Sequence, residues 1–241
     1  MRRTGAQSHI APAHRWRRDG YAPKIEAYDQ ELILTIQRSY LEKIDDPRYS
    51  KPNRTKVGTA VSRAIINPII HIPDLAKLID AETRGAIECY YDSYFRVAAV
   101  QAWRNYSLPT ELQQDIEAYS NWWHFDARPI DNIKLFVNLS DVDDDCGPFH
   151  FIPAKRSRQL VRMGFKRARN GLPLNEEGNK QYIVRATGPA GTAVYCNTEL
   201  CLHRAGVPAK GKTRDIIQFR FLPSNVPLPP DWGSQPLQDQ R

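Results

Sequence analysis

The chain contains no apolar run that approaches the ~18 residues needed to span a bilayer. No glycine-rich turn joins a strand pattern to a helix pattern, which argues against a Rossmann-type dinucleotide fold. There is no internal repeat, and no linker rich enough to divide the chain. The opening residues Met1-Arg2-Arg3-Thr4-Gly5 are basic but lead into no apolar stretch of the secretory kind. A soluble, cytoplasmic protein is therefore the expectation. Cysteine is sparse: the four at 89, 146, 196 and 201 have no disulfide-framework spacing and suit a reducing compartment. Cys196, Cys201 and His203 lack a fourth ligand at metal-binding spacing, which argues against structural zinc.

What is present is ordinary globular composition, 41% hydrophobic and 25% charged over 241 residues. That excludes wholesale disorder, collagen and a coiled coil. The formal net charge of +7 is concentrated in two places. One is the first twenty residues, with Arg2, Arg3, Arg15, Arg17 and Arg18. The other is 154–170, with Lys155, Arg156, Arg158, Arg162, Lys166, Arg167 and Arg169 and no acid. Such patches can hold phosphate, nucleic acid or an acidic substrate, or can be a solvated face and a loose arm. In the second run only Phe165 is aromatic, so no stacking platform for nucleic acid is visible.

The order of patterns predicts an α+β chain that is mainly β. Residues 1–22 read as a flexible basic arm. Ile25, Leu32, Ile36, Tyr40 and Ile44 recur at helical spacing and predict an amphipathic helix over 24–44. Residues 45–72 are turn-rich, and Pro73-Asp74 opens a second predicted helix running to about Tyr91. From Tyr94 the character changes. Strands are predicted at 94–103, 122–125, 133–139, 148–152, 181–185, 192–196 and 214–221, with a short helix at 109–119. Residues 223–241 read as a Pro-rich extended tail. The result is one domain over 23–222, with a helical part at 23–92 and a jelly-roll core at 93–222.

The chemistry is concentrated in Trp123-His124-Phe125-Asp126. Strand alternation places His124 and Asp126 on one face. An imidazole and a carboxylate there can share a metal ion, or can form a structural pair. A second histidine from a distant strand would complete a 2-His-1-carboxylate triad with open positions, the arrangement that suits non-haem Fe(II) and oxygen chemistry. His203 is the natural third ligand. Arg214 follows eleven residues later and begins the last predicted strand, where a guanidinium could grip the far carboxylate of a metal-bound 2-oxo acid.

Taken with Lys134–Asp143, Cys146-Gly147-Pro148-Phe149-His150-Phe151-Ile152-Pro153, Gly188–Ala193 and Leu202-His203-Arg204-Ala205-Gly206, the chain resembles the phytanoyl-CoA dioxygenase family of Fe(II)/2-oxoglutarate oxygenases over roughly 95–222. The resemblance implies a double-stranded β-helix with helices packed on one sheet. It implies His124, Asp126 and His203 as iron ligands and Arg214 as the clamp on 2-oxoglutarate. It also implies a polar contact to that cosubstrate from Gln101 or Asn105, and an aromatic one from Phe136. Lys134 shares the face of Phe136 and is placed at the pocket mouth. Core packing is the other reading for Phe136, and a snorkelling surface lysine for Lys134. His150 reads as a packed or pocket-lining residue. The implied cofactors are Fe(II), 2-oxoglutarate and O₂, with succinate and CO₂ released. Asp126 stands where halogenating relatives carry a small residue, so hydroxylation is favoured. The chain departs from the family at Pro153-Ala154-Lys155-Arg156-Ser157, where Ile-Pro is commonly followed by Gly-Ser-His.

The expected partner is a small-molecule or carrier-linked substrate, and the run 155–170 motivates an anionic one. Epoxidation, desaturation and ring formation stay open beside hydroxylation. Two other classes stay open as well: a non-catalytic jelly-roll binding module and a nucleic-acid-binding protein using the basic patches. The sequence leaves the oligomeric state undecided.

Overall fold

Residues 16–25, 27–55, 58–109, 117–126, 132–165, 176–234 and 237 are described by the structure, a computed structural model. Its strands are β1 (Tyr21–Pro23), β2 (Ser50–Arg54), β3 (Ala60–Ile65), β4 (Tyr94–Tyr106), β5 (Ile133–Asn138), β6 (Phe149–Ile152), β7 (Val184–Arg185), β8 (Ala193–Asn197), β9 (Leu202–Ala205) and β10 (Thr213–Ser224). The large sheet has the order β1-β8-β5-β10-β4-β3-β2 and the small one β7-β6-β9. The segment carrying His124 joins the small sheet at β9 through an antiparallel bridge to His203. From β4 onward the chain passes back and forth between the two sheets, as a double-stranded β-helix, or jelly roll, requires.

Helix α1 (Gln30–Ile44) forms because Asp29 caps it, accepting from the Leu32 N–H, and because Ile33, Ile36, Tyr40 and Ile44 fall on one buried face. Burying each of these four contributes about 1.5–3 kcal/mol. A short turn, α2 (Pro68–His71), and a 3₁₀ turn at Pro73–Leu78 lead to α3 (Ala81–Tyr91), which Asp80 caps through the Thr83 N–H. These helices cover the outer face of the large sheet. Ile36, Tyr40 and Ile87 pack in one cluster with Leu135, Val137, Ile217, Phe219 and Phe221. Tyr40 donates its hydroxyl to Asp215 at 3.0 Å, and Arg104 grips the same carboxylate at 2.8 and 2.9 Å. The period of β10 thus sends 217, 219 and 221 under the helices and turns 214, 216, 218 and 220 to the inside of the sandwich. Helix α4 (Ala154–Arg162) lies on the outer face of the small sheet, with Leu160 packed on Ile152 and Leu202. A further turn, α5, covers Glu176–Asn179.

Several sequence-based expectations need correction. Helix α1 starts at Gln30, not 24, and Ile25 is 67% exposed. The preceding residues pair instead as β1, Tyr21 opposite Cys196. The arm does not extend to 22, because Trp16 is buried against Tyr90 and Tyr195; its residues 1–15 lie outside the described residues. The turn-rich stretch 45–72 contains β2 and β3, which widen the large sheet. As the outermost strand, β2 tolerates Pro52, which is why its pattern does not read as a strand. The second helix is broken near Leu78 and restarts at Ala81. The strand at 181–185 is only two residues long, β9 replaces an unassigned stretch, and the basic run begins as helix α4. The tail is not a free extension: Leu228 is buried, and Trp232 packs edge-on against Phe219. The helix expected at 109–119 falls largely outside the described residues. Among the described residues, no helix is long and apolar enough to cross a membrane.

Candidate metal and cosubstrate site

The backbones of His124 and His203 exchange hydrogen bonds at 3.0 Å in both directions. This sets the two rings side by side, with centroids 4.2 Å apart. His124 Nδ1 lies 2.8 Å from the Trp122 carbonyl oxygen, and His203 Nδ1 lies 3.0 Å from that of Cys201. A carbonyl only accepts, so each Nδ1 carries the hydrogen and each Nε2 keeps its lone pair. Both Nε2 atoms face Asp126 Oδ1, at 3.8 and 3.7 Å. One ligand atom from each of His124, Asp126 and His203 lies within 4.8 Å of the others; among the described residues this is the only cluster of its kind. Cys196 and Cys201 are buried free thiols.

Burial opposes ionisation of Asp126, but the Lys134 ammonium and His203 outweigh it and hold the carboxyl well below its usual range. Its Oδ2 accepts from Lys134 Nζ at 2.6 Å and from the Thr198 hydroxyl at 2.6 Å, which leaves Oδ1 turned to the histidines. Burial, and next the neighbouring His124, push His203 down to about 3. The donor set is two imidazoles anchored through Nδ1 and one ionised carboxylate, groups that bind a cation through the Nε2 lone pairs and a carboxylate oxygen.

A cavity of about 610 Å³ opens over these residues, with Gln101, Lys134, Phe136, Arg214 and Gln218 in its walls. Arg214 is 1% exposed. Its Nη1 donates to the Gly147 carbonyl, its Nε has no partner, and no carboxylate faces it among the described residues. Burial lowers its pKa to about 10, with Tyr119 opposing. A buried guanidinium facing a cavity without an anion is costly, and a ligand carboxylate would offset that cost. Gly147 is needed for this contact. It has φ +66°, and a Cβ there would come within 2.5 Å of the Pro208 backbone nitrogen.

The structure places the other sequence candidates as follows. Phe136 stacks on Phe149 with centroids 4.1 Å apart and lines the cavity, so it is both a packing and a wall residue. Lys134 is not a snorkelling surface lysine; its side chain is 14% exposed and paired with Asp126. Gln101 accepts from Gln218 Nε2 at 3.0 Å and lines the cavity. Asn105 lies directly opposite Arg214 in register and is buried, and neither of its amide atoms has a partner among the described residues. His150 is on the outer face of the small sheet, stacked on Trp123 and accepting from Arg204 at 3.2 Å. Arg158 and Arg162 line a separate groove of about 370 Å³ with Phe125 and Leu200, not the cavity over the triad. Four contributors went unread in the sequence. Thr198 sits in the β8–β9 turn, where no periodicity marks it, and Lys51, Asn53 and Ser62 reach the cavity from the unexpected strands β2 and β3.

The fold is shared with solved structures at low identity. SnoN, a non-heme alpha ketoglutarate-dependent epimerase from nogalamycin biosynthesis, is 18% identical; the match covers 90% of this chain and 83% of that chain, with a TM-score of 0.61. EctD from S. alaskensis, solved with 2-oxoglutarate and 5-hydroxyectoine, is 18% identical over 92% of this chain and 79% of its own, with a TM-score of 0.63. AviO1 from Streptomyces viridochromogenes Tue57 is 15% identical over 91% and 96%, with a TM-score of 0.57. The chain matches no family model and no curated protein.

Proposed function

We propose that the chain is an Fe(II)- and 2-oxoglutarate-dependent dioxygenase that hydroxylates an unactivated C–H bond of a small or carrier-linked organic substrate. The observation that carries this reading is one continuous cavity that holds the His124, Asp126 and His203 ligand atoms and the buried, carboxylate-free Arg214. The resemblance of its motifs to the phytanoyl-CoA dioxygenase family supports it. So does the fold shared with SnoN, an alpha ketoglutarate-dependent epimerase, and with EctD, solved with 2-oxoglutarate.

The three ligands hold iron and leave coordination positions open. Iron and 2-oxoglutarate, when bound, supply the oxidising power, consuming O₂ and releasing succinate and CO₂. The residues of the chain position and shield. The Trp122 and Cys201 carbonyls orient the imidazoles, and Lys134 and Thr198 hold the second oxygen of Asp126, so that its first oxygen would be the one offered to iron. Arg214 secures the far carboxylate of the cosubstrate, with Asn105 beside it, while Gln101 and Phe136 shape the wall. Asp126 keeps the carboxylate in place and so favours hydroxylation over halogenation.

The test is anaerobic titration of the metal-free chain with Fe(II) and 2-oxoglutarate, following the visible charge-transfer band. The band appears in the wild type and is lost in His203→Ala. A folded chain that shows no band, or a band unchanged by His203→Ala, overturns the reading and favours a non-catalytic binding module.

A further inference from the structure

We infer that the inner face of the large sheet carries a second polar subsite, built from Asn132, Lys134 and Arg220, which takes the oxyanion end (a carboxylate or phosphate) of the substrate. The identity of the ligand as a substrate rests on the oxygenase reading; the existence of the subsite does not.

Arg220 on β10 stands directly opposite Lys134 on β5, one inner-face position beyond the pair Gln218 and Phe136. The apolar inner-face cluster is built around Phe136, Val194 and Ile216, on the same sheet. Asn132, two positions before Lys134, is 1% exposed, and among the described residues neither its amide oxygen nor its nitrogen has a partner. Burying both unpaired is costly, and a leucine there would be cheaper to fold. Asn132, Lys134 and Arg220 line a cavity of about 320 Å³, within the usual size range of small-molecule sites. Gln101, Asp126, Lys134 and Gln218 line this cavity and the larger one alike, so the two meet at the triad.

The wall is rich in donors. Lys134 and Arg220 only donate, and Asn132 adds an NH₂ group. A guanidinium has five N–H donors, of which a single carboxylate uses two, so Arg220 can serve more than one acceptor. Among the described residues that line the cavity, Asp126 is the only acid, and Lys134 and Thr198 already occupy its Oδ2. An acceptor-rich group is the ligand that such a wall fits.

The cosubstrate cannot be that ligand while it is held by Arg214. Arg214 and Arg220 are six residues apart on one strand, about 20 Å at about 3.3 Å per residue. Five carbons at about 1.5 Å per bond span about 6 Å. One end of β10 therefore serves the cosubstrate and the other a second molecule, with the triad between them. This places anion recognition inside the cavity, rather than on the basic helix α4 to which the sequence pointed.

The test uses three five-carbon probes, pentanoate, pentyl phosphate and pentanol. Each is titrated onto the metal-free full chain and followed by ligand-observed NMR. At least one of the two anions binds, and which one binds tighter separates carboxylate from phosphate. That binding survives Arg214→Met. It weakens at least about tenfold, the loss of a charge-assisted hydrogen bond, in Arg220→Met and in the near-isosteric Asn132→Leu. Thermal unfolding checks that each variant is folded, and Arg220→Lys retains part of the affinity. Pentanol binding as tight as either anion, anion binding lost only in Arg214→Met, or no anion binding overturns the inference. Because no metal is needed, a chain that passes here but shows no charge-transfer band keeps the subsite and loses the oxygenase reading.

Discussion

His124 and His203 hold each other through their backbones at 3.0 Å both ways, and each anchors its ring by turning Nδ1 to the carbonyl two residues behind it. The same local device thus orients both imidazoles, although 79 positions separate them in the chain. The register of one bridge between the His124 segment and β9 decides whether two Nε2 lone pairs converge on Asp126. A slip by one residue would turn His203 to the outer face of the sheet.

Lys134 is the counter-charge that Asp126 has before any cation binds. In Lys134→Met the half-buried carboxylate keeps only Thr198 and the two imidazoles. The metal-free protein should lose about 1–3 kcal/mol of stability, and saturating Fe(II) should restore most of it. Denaturant melts with and without Fe(II) check this; an equal loss in both conditions would argue that Lys134 serves packing alone.

Arg214 presents the opposite case, a buried cation with no carboxylate beside it among the described residues. Arg214→Met should leave the melting temperature of the metal-free protein unchanged or raise it, because a desolvation cost is removed. The same variant should raise the concentration of 2-oxoglutarate needed for half-saturation by about 100-fold or more, from the loss of a bidentate charge-assisted pair. Calorimetric titration paired with a thermal melt separates the two effects.

Acid should destabilise the fold partly through His150. Burial first, then Arg204, Arg185 and Arg214, lower its pKa from 6.5 to about 3. Between those values the unfolded chain takes up a proton that the folded chain refuses. The contribution is fully present above about pH 6.5 and is lost progressively as pH falls toward 3. His150→Gln should flatten the acid limb by up to one proton, at most about 1.4 kcal/mol per pH unit. Unfolding free energies of variant and wild type at pH 4, 5 and 7 provide the comparison.

The anchor of α1 on the sheet is Asp215, which holds Arg104 and Tyr40. Asp215→Ala leaves the largely buried Arg104 guanidinium with only the exposed Asp45 carboxylate, 3.2 Å from its Nη1, and should cost about 3 kcal/mol. Tyr40→Phe removes one hydrogen bond and should cost about 1 kcal/mol. Chemical denaturation of both variants measures the difference, and near-equal losses would contradict the assignment.

The sequence by itself determined the jelly-roll class, the amphipathic face of α1 and the residue types of the triad. Each is written locally, in a period of two or 3.6 or in a short spacing such as His124-x-Asp126. It also marked Arg214, which follows His203 by eleven residues at the start of the last predicted strand. Tertiary structure alone decided the rest. Strands β1, β2 and β3 have too little apolar alternation to stand out, and they exist because neighbouring strands offer unpaired edges. Thr198 and Asn132 lie where no period applies. The basic run at 154–170 was conspicuous by charge, yet Arg158 and Arg162 open onto a different groove. Arg220, unremarkable in the sequence, faces Lys134 across paired strands. Charge and spacing can be read along a chain, whereas the partner a side chain meets is fixed by strand register across the sheet, a long-range property that no local window contains.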